Sequence, residues 1–153
     1  MKIGAISTHE VDPAAFSETA RAVAQRMHQR NVGTLVVLDD AGRVAGILTD
    51  RDLALRIVAR GADPNLVRVA DVMTADVQTV RDHATVEEAL SLMRSRGVRR
   101  LPVVFPDATL AGLVSLDDVL AYIADEFAEV RRFLDETSPR SLARRGAPAP
   151  AGP

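Results

Sequence analysis

Displaced by 66 positions, the chain matches itself: residues 3–60 lie on 69–126 without a gap. Identities are few but fall at the punctuation points. Thr8, Val11, Thr19, Met27, Val32, Leu35, Val37, Gly46, Asp52 and Ile57 meet Thr74, Val77, Thr85, Met93, Val98, Leu101, Val103, Gly112, Asp118 and Ile123. Conservative matches such as Ile6/Val72, Ile47/Leu113 and Thr49/Ser115 fill the intervals. A gapless internal repeat constrains the fold more than any local motif, because both halves must form the same unit. A unit of that size buries too little surface to be stable alone, so the two copies are expected to pack on each other and leave clefts between them.

Each copy reads β-α-β-β-α. A short extended segment is expected around Val11 and around Val77–Val80. A helix follows over about Thr19–Arg30 and Thr85–Arg96, with Ala20, Val23, Ala24, Met27 and Val86, Ala89, Leu90, Met93 at helical spacing. Thr85-Val86-Glu87-Glu88 has the form of a capping box and marks the second helix start. The apolar runs Leu35–Leu38 and Leu101–Val104 read as buried strands. Asp39-Asp40-Ala41-Gly42-Arg43 makes a turn, and a second strand runs over Val44–Leu48 or Leu110–Val114. The fold class is therefore α/β, two such repeats packed as a pseudo-twofold pair. The closing helix of the second copy is expected to continue to about Glu136, carrying Val119, Leu120, Ile123, Phe127, Val130 and Leu134 on one face. The organisation expected is a first repeat at 1–60, a linker at 61–68, a second repeat at 69–126, a helical extension at 127–136 and a disordered tail at 137–153.

Composition closes off several classes. Hydrophobic residues make up 47% of the chain but aromatics only 3%, so the core must be Val, Leu, Ile, Ala and Met. Cysteine is absent, which removes disulfides, thiolate zinc sites and cysteine nucleophiles. No run approaches the ~20 apolar residues of a membrane span, and no signal peptide is visible at Met1–Glu10. A soluble cytoplasmic protein without a membrane partner is the expectation. A formal charge of −2 offers no bulk attraction to nucleic acid. Lys2 is the only lysine; every other basic residue is arginine, whose planar fork suits phosphate.

The chemistry-bearing stretches are Gly46-Ile47-Leu48-Thr49-Asp50-Arg51-Asp52 and its copy Gly112-Leu113-Val114-Ser115-Leu116-Asp117-Asp118. Each delivers a hydroxyl, and three residues later a carboxylate, to the start of a helix. That spacing caps a helix, and the same atoms can also serve a ligand. Arg51 lies inside the first turn, where the second carries Leu116-Asp117, so the two turns differ in charge and unequal affinity for phosphate-rich ligands is expected, with the first the more cationic. Arg94, Arg96, Arg99 and Arg100 form the densest basic cluster; Arg94 and Arg96 suit a helix C-terminus. No G-x-S-x-G, H-E-x-x-H, P-loop or G-x-G-x-x-G occurs, so catalysis is not expected. His9, Glu10 and Asp12, like Asp82 and His83, lack a third ligand at a metal-binding spacing, and no metal is expected. Nucleic-acid binding would need a wider basic face with stacking aromatics.

With these residues in view, the chain resembles a tandem pair of CBS domains, also called a Bateman module. The carriers are the two G-h-h-[ST]-x-x-D turns (h, apolar), the lead-in Asp71-Val72-Met73-Thr74, the segment Gly97-Val98-Arg99-Arg100-Leu101-Pro102-Val103 and the repeat itself, together spanning about residues 1–126. The first repeat departs in its lead-in, where Ala5-Ile6-Ser7-Thr8 stands for D-V-M-T. The resemblance implies a non-enzymatic sensor that binds an adenosine nucleotide (AMP, ADP or ATP foremost, NAD or S-adenosylmethionine also) between its repeats. It implies ribose-binding acids at Asp52 and Asp118, hydroxyls near ribose and α-phosphate at Thr49 and Ser115, and phosphate contacts from Arg51, Arg99 and Arg100. Phe127, Val130, Phe133 and Leu134 lie past the end of the repeat and are expected to pack on a second subunit or on the far copy's helices; the resemblance implies a homodimer, which agrees, and the output is expected to be a separate effector protein that reads the ligand-bound arrangement. The alternative is a ligand-free protein–protein interaction or oligomerisation module whose turns serve only as caps.

Overall fold

A computed structural model describes residues 1–138; the tail expected at 137–153 lies almost wholly outside the described residues. The first repeat begins with a single 3-10 turn at Ile3–Ala5 and forms β1 (Pro13–Ala15), α1 (Ala20–Arg30), β2 (Thr34–Leu38), β3 (Val44–Thr49) and α2 (Asp50–Leu53), which runs into a π-helical turn at Ala54–Val58. After a short helix α3 (Val69–Val72) and β4 (Thr74–Ala75), the second repeat forms β5 (Val80–Arg81), α4 (Val86–Arg96), β6 (Arg100–Val104) and β7 (Leu110–Ser115). The helix α5 (Leu116–Thr137) is the last element among the described residues.

The helices start and stop where local chemistry dictates. Thr19 accepts a hydrogen bond from the Ala22 amide at 3.2 Å and caps α1. Thr85 and Glu88 form the reciprocal box expected for α4, with the Glu88 amide 3.2 Å from the Thr85 hydroxyl and the Thr85 amide 2.7 Å from the Glu88 carboxylate. Both helices end on a left-handed residue at repeat-equivalent positions, Asn31 (φ 53°) and Gly97 (φ 64°). The first strand lies at Pro13–Ala15 rather than around Val11, because the residues that pair in parallel with β2 are Pro13, Ala14 and Ala15, of which Ala14 is buried.

The sheets run β1-β2-β3-β4 and β5-β6-β7. The lead-in strand β4, which precedes the second repeat, is hydrogen-bonded to β3 of the first, pairing Gly46 with Ala75 and Ile47 with Thr74. The reverse crossing is made by Thr8, whose amide and carbonyl both bond Leu113 of β7 at 2.9 Å. The segments just upstream cross in the same way. The amides of Ile3 and Gly4 bond the carbonyls of Ala84 and Asp82, while those of Val69 and Ala70 bond Glu18 and Phe16, the same contacts displaced by the repeat. Ile3 and Val69 are each fully buried, an anchoring worth about 1.5–3 kcal/mol apiece. Arg43 bridges its own counterpart Thr109, as required of residues beside a pseudo-twofold axis.

These exchanges account for Gly46 and Gly112. A Cβ on Gly46 would lie 2.7 Å from the Thr74 carbonyl oxygen and 2.9 Å from the Met73 sulfur; one on Gly112 would lie 2.8 Å from the Thr8 carbonyl oxygen. Only glycine lets the crossing backbone come so close. The core of the first repeat gathers Ala20, Val23, Met27, Leu35, Val37, Leu48 and Ile57 from α1, β2, β3 and the π turn, with Val69 and Val72 of α3 joining it.

Compact packing divides the chain at Leu116, and the second unit begins at Asp117. Within α5, Val119 is buried, whereas Leu120, Phe127, Val130, Phe133 and Leu134 are exposed, Phe127 to 70%. Arg132 pairs with Glu129 at 2.8 Å along its surface.

Candidate functional site

The first turn is built by β3 running directly into α2. Thr49 ends the strand in an extended conformation and caps the helix: its hydroxyl accepts from the Asp52 amide at 3.1 Å. Asp52 closes the box, with one carboxylate oxygen 2.9 Å from both the Thr49 amide nitrogen and the Thr49 hydroxyl. The other oxygen pairs with the Arg56 guanidinium at 3.2 Å. That guanidinium also donates to the Val72 carbonyl at 2.7 Å and to the Thr74 hydroxyl at 3.0 Å. The hydroxyl and acid predicted as a site are therefore brought together, half-buried, and joined to the lead-in of the other repeat.

Arg56 lies outside the residues expected at the site, although it stands four residues after Asp52, the spacing at which an acid and a base meet on a helix. Arg51 is exposed, like Asp50 beside it, and its amide donates to the Asp50 carboxylate at 2.8 Å.

The second turn follows the same plan up to the end of its strand. In the antiparallel register of β6 and β7, Arg100 lies directly across from Ser115, so the two side chains share a face of the sheet. Arg99 sits one residue earlier, with its carbonyl accepting from the Leu116 amide at 2.9 Å, as Gly33 does from Asp50 in the first repeat. Asp118 falls in the first turn of α5 and is half-buried. The first repeat has Thr34 where the second has Arg100: Thr34 pairs with Thr49 across β2 and β3, is buried, and its hydroxyl has no hydrogen-bond partner among the described residues.

The strands add to the comparison of the two turns: the second has Arg100 opposite its hydroxyl where the first has Thr34, whereas the first has Arg56 against its carboxylate where the second has Tyr122.

Two open grooves lie elsewhere, on the helical faces. One, of about 400 Å³, is lined by Ala24, His28, Val32 and Asp50 among others; its repeat-equivalent, of about 570 Å³, by Leu90, Arg94, Val98 and Leu116. Neither takes in Thr49, Asp52, Arg100 or Ser115. Among the described residues no three His, Asp or Glu side chains gather in a way that could hold a metal ion. No helix among them is long and apolar enough to cross a membrane.

The family model for the CBS domain matches twice, at residues 3–59 and 69–125. The chain belongs to the CBS-domain family. An uncharacterized protein of Methanopyrus kandleri is 31% identical to this CBS pair over 140 residues, which is 89% of this chain and 71% of that protein. A crystal structure of Hypoxic Response Protein I with two coordinated zinc ions is similar at a TM-score of 0.72 and 30% identity, covering 79% of this chain and 98% of that one. The cytosolic domain of the Mg2+ channel MgtE, in complex with ATP, is similar at a TM-score of 0.68 and 31% identity, covering 79% of this chain and 48% of that one.

Proposed function

We propose that this CBS pair is a non-enzymatic sensor that binds an adenosine nucleotide between its repeats and signals by conformational linkage. The observation that carries the proposal is the reciprocal crossing of the lead-ins. Each passes against the glycine that stands three residues before the hydroxyl of the opposite turn, Thr74 against Gly46 and Thr8 against Gly112. A ligand held at either turn would therefore touch backbone from both repeats and favour one arrangement of the pair. A partner that prefers that arrangement then gains affinity, by no more than the ligand's own difference in affinity between the two arrangements.

In this reading Asp52 and Asp118 receive the ribose hydroxyls, and Thr49 and Ser115 lie beside ribose and α-phosphate. Arg51, Arg99 and Arg100 meet the phosphates. The complex of the MgtE cytosolic domain with ATP supports an adenosine ligand in general; AMP, ADP and ATP come first, with NAD and S-adenosylmethionine as further members of the panel. The pair would work as a cytoplasmic homodimer with the exposed Phe127, Val130, Phe133 and Leu134 of α5 against a second subunit, and its output would be a separate effector protein. The repeats are proposed as 1–60 and 69–126, joined by 61–68, with 127–136 as the dimerising extension.

A second reading, an interaction module with empty clefts, is favoured by the capping box of Thr49 and Asp52, whose polar atoms each already have a partner within the protein. Thermal shift with the nucleotide panel separates the two, since a ligand that binds only the folded state must raise the melting temperature. The sensor reading requires at least one nucleotide to do so at millimolar concentration; a panel that leaves the protein unmoved supports the module instead.

A further inference from the structure

We propose that Arg56 is the positioning residue of the first cleft, aiming the Asp52 carboxylate and tying it to the lead-in of the second repeat. The inference rests on the nucleotide site proposed at Thr49 and Asp52. One guanidinium makes three contacts that belong to three different parts of the structure. They are the carboxylate of the first turn (3.2 Å), the main-chain carbonyl of Val72 at the end of α3 (2.7 Å) and the hydroxyl of Thr74 on β4 (3.0 Å). A planar group with several fixed donors can hold such an arrangement; a point charge cannot.

The backbone is shaped for this. From Ala54 to Val58 the helix widens into a π turn, closed by the Ala59 amide on the Ala54 carbonyl at 2.9 Å. Such turns are rare and concentrate at functional positions. Here the turn carries Arg56. The repeat-equivalent residue is Tyr122, so the guanidinium at this position is a feature of the first repeat.

Its consequence follows from the lone pairs of Asp52. One oxygen already accepts from the Thr49 amide and hydroxyl, while the other faces only the guanidinium. An ionised carboxylate has about four acceptor positions, so an incoming diol must share the second oxygen with Arg56. Any shift of Arg56 is then passed to Thr74 and Val72. Occupancy of the first cleft is felt by the strand that leads into the second repeat.

The test uses the full chain with ATP as probe, in a D118N background that leaves the first turn as the remaining proposed site. Affinity is read by calorimetry and the response of the amides of Met73, Thr74 and Ala75 by hydrogen exchange. D118N is expected to bind ATP and to slow exchange at these three amides. Adding R56M should weaken ATP by about tenfold or more, the loss of a charge-assisted contact, and abolish the slowing. R56K should recover part of the affinity, because an ammonium can still pair with Asp52, without recovering the slowing. If R56M does not fold, R56K carries the test. Unchanged ATP affinity and an unchanged exchange response in these variants, with only a lower melting temperature, would reduce Arg56 to a structural tie and overturn the inference. ATP binding to wild type but not to D118N would overturn it also, while leaving the sensor reading intact. A wild type that binds no nucleotide of the panel removes both.

Discussion

Replacing Gly46 by alanine tests the crossed lead-ins directly. The new methyl would sit 2.7 Å from the Thr74 carbonyl oxygen and 2.9 Å from the Met73 sulfur. Met73 is flexible enough to yield, but Thr74 is held in register with Ile47 on β3, so relief requires the two strands to part. Overpacking of this kind costs about 1–3 kcal/mol. Removing glycine from a strand interior returns about 0.5–1 kcal/mol of backbone entropy and β preference. The net expectation is a loss of about 0–2.5 kcal/mol. At about 2–4 °C per kcal/mol for a chain of this size, the melting temperature falls by up to roughly 10 °C. Thermal melting with amide exchange gives the answer, since exchange of Thr74 and Ala75 should accelerate more than that of the β2 core. A G46A protein that melts at or above wild type, with β4 equally protected, would refute the close approach on which the crossing depends.

Thr85→Ala should cost about 1 kcal/mol by opening the capping box of α4, measurable by urea unfolding. The Asp107 carboxyl lies below the ordinary aspartate range because the Thr109 hydroxyl (2.6 Å) and amide (3.0 Å) both donate to it, with help from Arg81. A carboxyl lowered on folding adds stability that is complete above its unfolded pKa and is lost as pH falls through its folded one. Thr109→Val, which keeps the amide and removes the hydroxyl, should move the Asp107 titration back up toward the ordinary value in NMR; an unmoved titration contradicts the assignment. Phe127→Glu with Phe133→Glu should lower the sedimentation coefficient to that of a single chain if α5 dimerises, and a variant that sediments as wild type removes α5 from the interface.

The repeat is enough for the β-α-β-β-α order of each copy and for the pairing of equivalent turns, because Gly46/Gly112 and Asp52/Asp118 mark the same places in both copies, but not for the 3-10 turn at Ile3–Ala5, α3 or β4. Helix starts were legible wherever a cap is local, as at Thr19 and Thr85. What lay out of reach was non-local. Nothing in the order of residues says that Thr74 pairs with Ile47 and Thr8 with Leu113, so the glycines could be noticed but not explained. Arg56 escaped for a related reason: its spacing from Asp52 is visible, but its contacts with Val72 and Thr74 come only from the fold. The placement of Arg100 across from Ser115, and of Thr34 across from Thr49, likewise needs the strand register.

Whether the turns at Thr49–Asp52 and Ser115–Asp118 hold an adenosine nucleotide is decided by a crystal structure of the full chain grown with ATP. Density is expected for a ribose against the carboxylate of Asp52 or Asp118, with the Thr49 or Ser115 hydroxyl beside the α-phosphate. Crystals that hold ATP away from both carboxylates, or show both turns empty at an ATP concentration that saturates its binding in solution, would contradict that expectation.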